Sequence, residues 1–164
     1  MAEKKPNKLS WPEYGCYLAL IASSRSCDPH SQSGAVGLDK DHKIVSTGFN
    51  GFAPGMEAPI WINEESRREE KCELIIHAEQ NLFARAKRGE IFTLCLDKSP
   101  CNSCARTIIA YDVKEVFYLK EYHRENKFKK IFDFYKIKYT LLDKNSIENI
   151  LEKIQEKMDW LKEI

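Results

Sequence analysis

The chain has 164 residues, 43% hydrophobic and 31% charged, a balance that excludes a disordered chain and fits one unit folded around a single core. Its formal net charge of +1 argues against extended binding to a nucleic-acid duplex, where a basic face supplies most of the affinity, so nucleic acid is not an expected partner. No apolar run is long enough to span a bilayer, and the N-terminus lacks the apolar stretch of a secretory signal, so no membrane partner is expected.

Residues 1–10 read as a flexible N-terminal tail and 11–164 as one domain ending in a helix. From Trp11 to about Ser24 the apolar residues Tyr14, Tyr17, Leu18 and Ile21 fall at helical spacing. Arg25 to Ser33 is polar, contains Asp28-Pro29, and reads as a loop. Gly34 to Leu38 and Lys43 to Phe49 are two strands around a polar turn, hence a hairpin. Asn50 to Gly55 is a Gly/Pro loop, and Met56 to Lys71 is irregular or short-helical. The charged run from Glu64 to Lys71 reads as a solvated face.

Ile76 to about Arg88 is predicted helical, with Gly89 as its stop, and Phe92 to Leu96 is a strand. Pro100 can open a helix that runs to about Tyr111, since the first turn does not need its N–H. Val113 to Leu119 is a strand, Asn126 to Tyr135 a helix, and Lys138 to Leu142 a strand. Ser146 to Lys162 is a long amphipathic helix that Ser146 can cap, with an apolar stripe of core or subunit-contact character. Strands alternating with helices after the hairpin imply a layered α/β domain with a mixed sheet.

Six cysteines without a secretion signal point to reduced thiols and a cytoplasmic location. Cys16, Cys27, Cys72 and Cys95 are expected to pack as small apolar residues. Cys101 and Cys104 share one helical face at a helix start, where free N–H groups and the dipole favour thiolates. A CxxC pair alone is ambiguous between a redox pair and half of a structural zinc site. Here there is no second CxxC. Instead, His77 opens another predicted helix upstream, and Glu79 follows two residues later. Three protein ligands, His77, Cys101 and Cys104, leave one tetrahedral position of a Zn2+ ion for water, the mark of a catalytic site. A carboxylate beside the metal, Glu79, can then move the water's proton. The pattern H-x-E followed by P-C-x-x-C is that of zinc nucleobase deaminases.

On these residues the chain resembles the cytidine and deoxycytidylate deaminase superfamily. Further blocks carry the resemblance: Arg25 to Ala35 around Asp28-Pro29, Gly48-Phe49-Asn50-Gly51, His77 to Asn81, Ser99 to Ala105, and Lys120-Glu121-Tyr122-His123. It departs from the family pattern at Ser33, Gln80, Leu82-Phe83 and Asp97-Lys98. The resemblance implies a three-layer α/β/α fold with a five-stranded mixed sheet. It implies zinc on His77, Cys101 and Cys104, with Glu79 passing a proton to N3 of cytosine while hydroxide generated at the zinc attacks C4. Ala78 N–H and the Ser99 carbonyl would hold the base, Asn50 the sugar, and Arg25 and Tyr122 the 5′-phosphate of a small-molecule nucleotide substrate. The long Asn50–His77 connection and the Arg-x-x-Asp-Pro loop favour hydrolytic deamination of dCMP to dUMP. Other readings stay open: another cytosine or adenine substrate (a free nucleoside, dCTP or single-stranded nucleic acid), or a zinc-binding regulatory module without turnover. A homo-oligomer is expected from the last helix and from family habit.

Overall fold

The computed structural model describes residues 8–122 and 127–164. His123 and Asn126, both part of the sequence reading, lie outside the described residues, as do residues 1–7 of the expected tail. The helices are α1 (Trp11–Ser23), α2 (Arg68–Leu74), α3 (Ala78–Phe83), α4 (Asn102–Ala110), α5 (Phe128–Tyr135) and α6 (Lys144–Lys162). The strands are β1 (Gly34–Leu38), β2 (Ile44–Phe49), β3 (Thr93–Lys98), β4 (Glu115–Lys120) and β5 (Lys138–Leu141). They form one sheet in the order β2-β1-β3-β4-β5. β1 is antiparallel to β2 and to β3, whereas β3, β4 and β5 run parallel.

Period-two alternation divides the core into two layers. Ala35, Leu94, Leu96, Val116 and Tyr118 face the helices α3, α4 and α5. Val36, Leu38 and Cys95 face α1 and α6 on the other side. Both faces of the central strands are therefore covered, which gives the expected α/β/α sandwich around a five-stranded mixed sheet. β1 is buried along its whole length, and β5 carries Lys138 and Thr140 exposed on the sheet edge, where charge discourages pairing with another chain.

Several boundaries differ from the sequence reading, each for a local reason. Leu9 packs against the α1/α6 side of the core, and Ser10 caps α1 in a capping box with Glu13; the S-x-x-E signal is visible in the sequence as Ser10-Trp11-Pro12-Glu13. The expected Ile76–Arg88 helix shrinks to Ala78–Phe83, because Ile76 is taken into a bridge with Gly51 and His77 is extended backbone at the N-cap. Gly89 does adopt a left-handed φ of +85°, after a loose turn rather than at the helix end. Pro100 precedes the helix; Cys101 is its N-cap, its sulfur accepting from Cys104 N–H at 3.4 Å. Ser146 does not cap α6. Asp143 does, accepting from Ser146 N–H at 2.8 Å, which leaves Ser146 one turn inside. The Met56–Lys71 stretch contains two short 3-10 turns and then α2, which reaches Leu74.

Candidate metal centre and its cavity

The α3 and α4 N-termini meet where β3 ends. His77 is the N-cap of α3 and Cys101 that of α4, so each of these two ligands sits at the turn where a helix begins. His77 N–H donates to Gln80 Oε1 at 3.1 Å, fixing the entry to α3. His77 Nδ1 lies 3.6 Å from Cys101 Sγ and 3.4 Å from Cys104 Sγ, and the three donor atoms all fall within 4.8 Å of one another. A tetrahedral zinc with the usual bond lengths puts a sulfur and a nitrogen ligand about 3.6 Å apart, so the triad fits that ion. The three sequence-predicted ligands are thus brought together, from segments 24 and 27 residues apart.

The electrostatics suit a cation. The Cys101 thiol is pulled down to about 4 by the hydrogen bond from the Cys104 thiol, against its burial, with help from His77. Cys104 is pushed up, because it keeps its proton against the Cys101 thiolate and because it is buried beside Glu79. A metal held by the triad would favour loss of that proton, since a coordinating cysteine is a thiolate. Glu79 is 7% exposed, and burial pushes its carboxyl up to about 7.

A cavity of about 360 Å³ opens over this cluster. His77, Ala78, Glu79 and Cys101 line its floor, and Asn50, Ser99 and Tyr122 line its walls. Tyr122 is held by its own backbone N–H, which donates to Ser99 Oγ at 2.8 Å. The Asn50 amide accepts from Ser33 N–H at 2.7 Å and donates to the Ser31 carbonyl at 2.9 Å. One amide N–H and one lone pair remain for a ligand. Arg25 does not line the cavity; it is exposed, its guanidinium 5.9 Å from the Phe49 ring centroid.

Sequence reasoning missed the cavity's cations. Arg68, Lys71 and Lys98 line it, so the Glu64–Lys71 run is not wholly a solvated face. Lys71 is only 2% exposed and pairs with Asp28 at 2.8 Å. Lys98 reaches back to the Gln32 carbonyl and stands 3.7 Å from the Asp97 carboxylate. The available signal was weak, a Lys six residues before the His of His-Ala-Glu, since nothing in a charge run marks which member turns inward. Cys16 and Cys95 are fully buried as expected, but Cys27 and Cys72 are exposed, because they sit on the loop and helix that rim the cavity rather than under the sheet.

An open three-ligand site with a buried carboxylate beside it, at the mouth of an α/β/α sandwich, defines a metal-dependent hydrolytic centre. The chain belongs to the cytidine and deoxycytidylate deaminase family: the family model for the cytidine and deoxycytidylate deaminase zinc-binding region matches residues 9–120. It is 32% identical over 127 residues to the deoxycytidylate deaminase of Homo sapiens, covering 74% of this chain and 71% of that one. The fold is similar to dCMP deaminase from the cyanophage S-TIM5 in its apo form, with a TM-score of 0.64 at 21% identity over 80% of this chain and 96% of the other. The same cyanophage enzyme in complex with dCMP and dUMP gives a TM-score of 0.62 at 19% identity, covering 80% and 93%.

Proposed function

We propose that the protein deaminates dCMP hydrolytically: dCMP and water give dUMP and ammonia. The observation that carries this reading is Glu79, buried next to the His77–Cys101–Cys104 cluster on the floor of a cavity that also carries cationic side chains. The chain's relatives named deoxycytidylate deaminase support the same substrate. Held by His77, Cys101 and Cys104, zinc would supply Lewis acidity that brings the pKa of a water down to about 7. Glu79 takes one proton from the attacking water and delivers it to N3 of the cytosine, which makes C4 electrophilic as the water's oxygen bonds to it. It then takes the second proton of that oxygen and passes it to the amino group, so the C4–N bond breaks, ammonia leaves, and C4 keeps the oxygen as the carbonyl of uracil. Ala78 N–H and the Ser99 carbonyl hold the base edges, and the remaining amide groups of Asn50 reach the sugar. For the 5′-phosphate, Arg68 and Lys98 beside Tyr122 are better placed than Arg25, because they line the cavity.

The wider expectations fit this reading. Residues 11–164 act as one deaminase domain. All six cysteines carry free thiols, in keeping with a reduced cytoplasmic compartment, and among the described residues no helix is long and apolar enough to cross a membrane. The outer part of α6 is exposed yet carries Leu151, Met158 and Leu161, which makes it the face through which a second copy would pack in a homo-oligomer.

The test is a panel of dCMP, dCTP, cytidine and a short single strand, assayed for ammonia release on purified protein of measured zinc content. dCMP is expected to turn over fastest. Faster turnover of the single strand would move the substrate class, and zinc-loaded protein inert on every substrate would favour the regulatory-module reading.

A further inference from the structure

The mechanism leaves one buried group in the cavity wall without a task. The Asp28–Lys71 ion pair is almost completely enclosed, with side-chain exposures of 6% and 3%. Enclosing both charges carries a large desolvation cost, and an apolar pair of similar size often stabilises a fold as well or better. Stability alone is therefore a poor reason for the pair.

Its connections suggest another. Asp28 Oδ1 accepts from three donors: Lys71 Nζ at 2.8 Å, His30 N–H at 2.9 Å and Ser31 N–H at 3.1 Å. Burial opposes the charge, but the Lys71 hydrogen bond and the two N–H groups outweigh it and hold the Asp28 carboxyl below its ordinary range. The loop before β1 is thus wound around one carboxylate oxygen. The same loop grips Asn50 from both sides, through the Ser31 carbonyl and Ser33 N–H. It is also pinned to the end of β3, where Ser33 Oγ donates to Asp97 Oδ1 at 2.8 Å. Lys71 lies on α2, in the connection between Asn50 and His77. Four separate segments are tied together around the cavity through Asp28.

We propose that Asp28 and Lys71 are positioning residues of the nucleotide pocket: the pair locks α2 onto the loop that presents Asn50, and so sets the sugar-side wall opposite the metal cluster. This inference rests on the reading of the cavity as a nucleotide site. Neither residue touches the reacting atoms, so the effect falls on binding.

The experiment compares Asp28→Asn, Lys71→Met, the double variant and Lys71→Arg. The double variant leaves no unpaired buried charge, which keeps a folded protein in the set if the single variants unfold. Expected is a KM for dCMP raised roughly tenfold or more in both single variants and in the double, with kcat within about threefold of wild type. The same increase is expected for deoxycytidine, and Lys71→Arg restores most of the affinity. Amide hydrogen exchange is expected to speed up at residues 28–33 and 50–51 in the variants. Lower thermal stability with unchanged KM makes the pair merely structural and overturns the proposal. So does a defect confined to Lys71→Met on dCMP, which would make Lys71 a phosphate ligand. Exchange that stays at the wild-type rate overturns it whatever the substrate, whereas a wild-type chain inert on dCMP counts against the functional reading alone.

Discussion

Glu79 is held where it can act by the short spacing of His77-Ala78-Glu79. The N-cap histidine ends the extended segment, and two residues later the carboxylate lies in the first turn of α3, inside the core and beside both cysteines. Replacing it by Gln keeps shape and removes the proposed proton shuttle. Glu79→Gln is expected to lower kcat by about 10²–10⁴-fold, the usual worth of a general acid–base group, with zinc content per chain unchanged. Activity near the wild-type level, with metal retained, would show that the proton moves by another route. Cys101 illustrates a second residue-scale economy: one sulfur caps α4 by accepting from Cys104 N–H and also offers itself to the metal.

At the scale of elements, the site depends on how closely β2 approaches α3. A Cβ placed on Gly48 would stand 2.1 Å from the Ala78 carbonyl oxygen and 2.7 Å from Leu82 N. Both atoms are backbone, so the helix itself must move. Asn81 Nδ2 adds a bond to the Phe49 carbonyl at 2.8 Å, and the Gly51–Ile76 bridge closes the same corner. Gly48→Ala is therefore expected to lower Tm by roughly 2–12 °C, from about 1–3 kcal/mol of overpacking, and to weaken zinc binding because His77 rides on the displaced turn. Gly37 is the control, since the three atoms nearest its Cβ all belong to the Ile91 side chain, the first at 2.6 Å, and zinc affinity should stay at the wild-type level. Equal zinc affinity in both variants, measured by chelator competition, would contradict this account of how α3 is placed.

For the whole molecule, α6 is the element that the core does not use up. Ile150 is buried, and Glu13 on α1 accepts from Asn149 at 2.9 Å, so the first half of α6 is docked. Beyond it, Leu151, Met158 and Leu161 are about half exposed, and their spacing of seven and then three residues keeps them on one helical face. A second copy that buried this face would remove apolar surface at about 25 cal/mol per Å². Light scattering on the purified protein is expected to give a mass above that of one chain. Leu161→Glu is expected to shift the mass toward one chain while zinc binding persists. A monomer in the wild type at assay concentration would remove the homo-oligomer from the picture.

The parts of the molecule legible in the sequence were those that depend on near neighbours. Cys101 and Cys104 are three residues apart, so spacing alone placed that pair on one helical face, and His77 with Glu79 form a two-residue motif at the start of another helix. β1, β2 and β5 fall close to their expected bounds, since alternation is a local pattern. Helix ends were less legible: Ile76 was drawn into a bridge by Gly51, and Asp143 took the cap expected of Ser146, each a competition between neighbours that periodicity does not arbitrate. Ser33 and Asp97 read only as departures from the family pattern, yet they hydrogen-bond to one another. By itself, the sequence determined the family and the group of His77, Cys101 and Cys104 that could hold a metal, because two short motifs carry them. Only the tertiary structure decided which charges serve the pocket. Lys71 and Arg68 look alike in a charged run, and what buries one is Asp28, 43 residues away, whose partnership makes enclosing an ammonium tolerable.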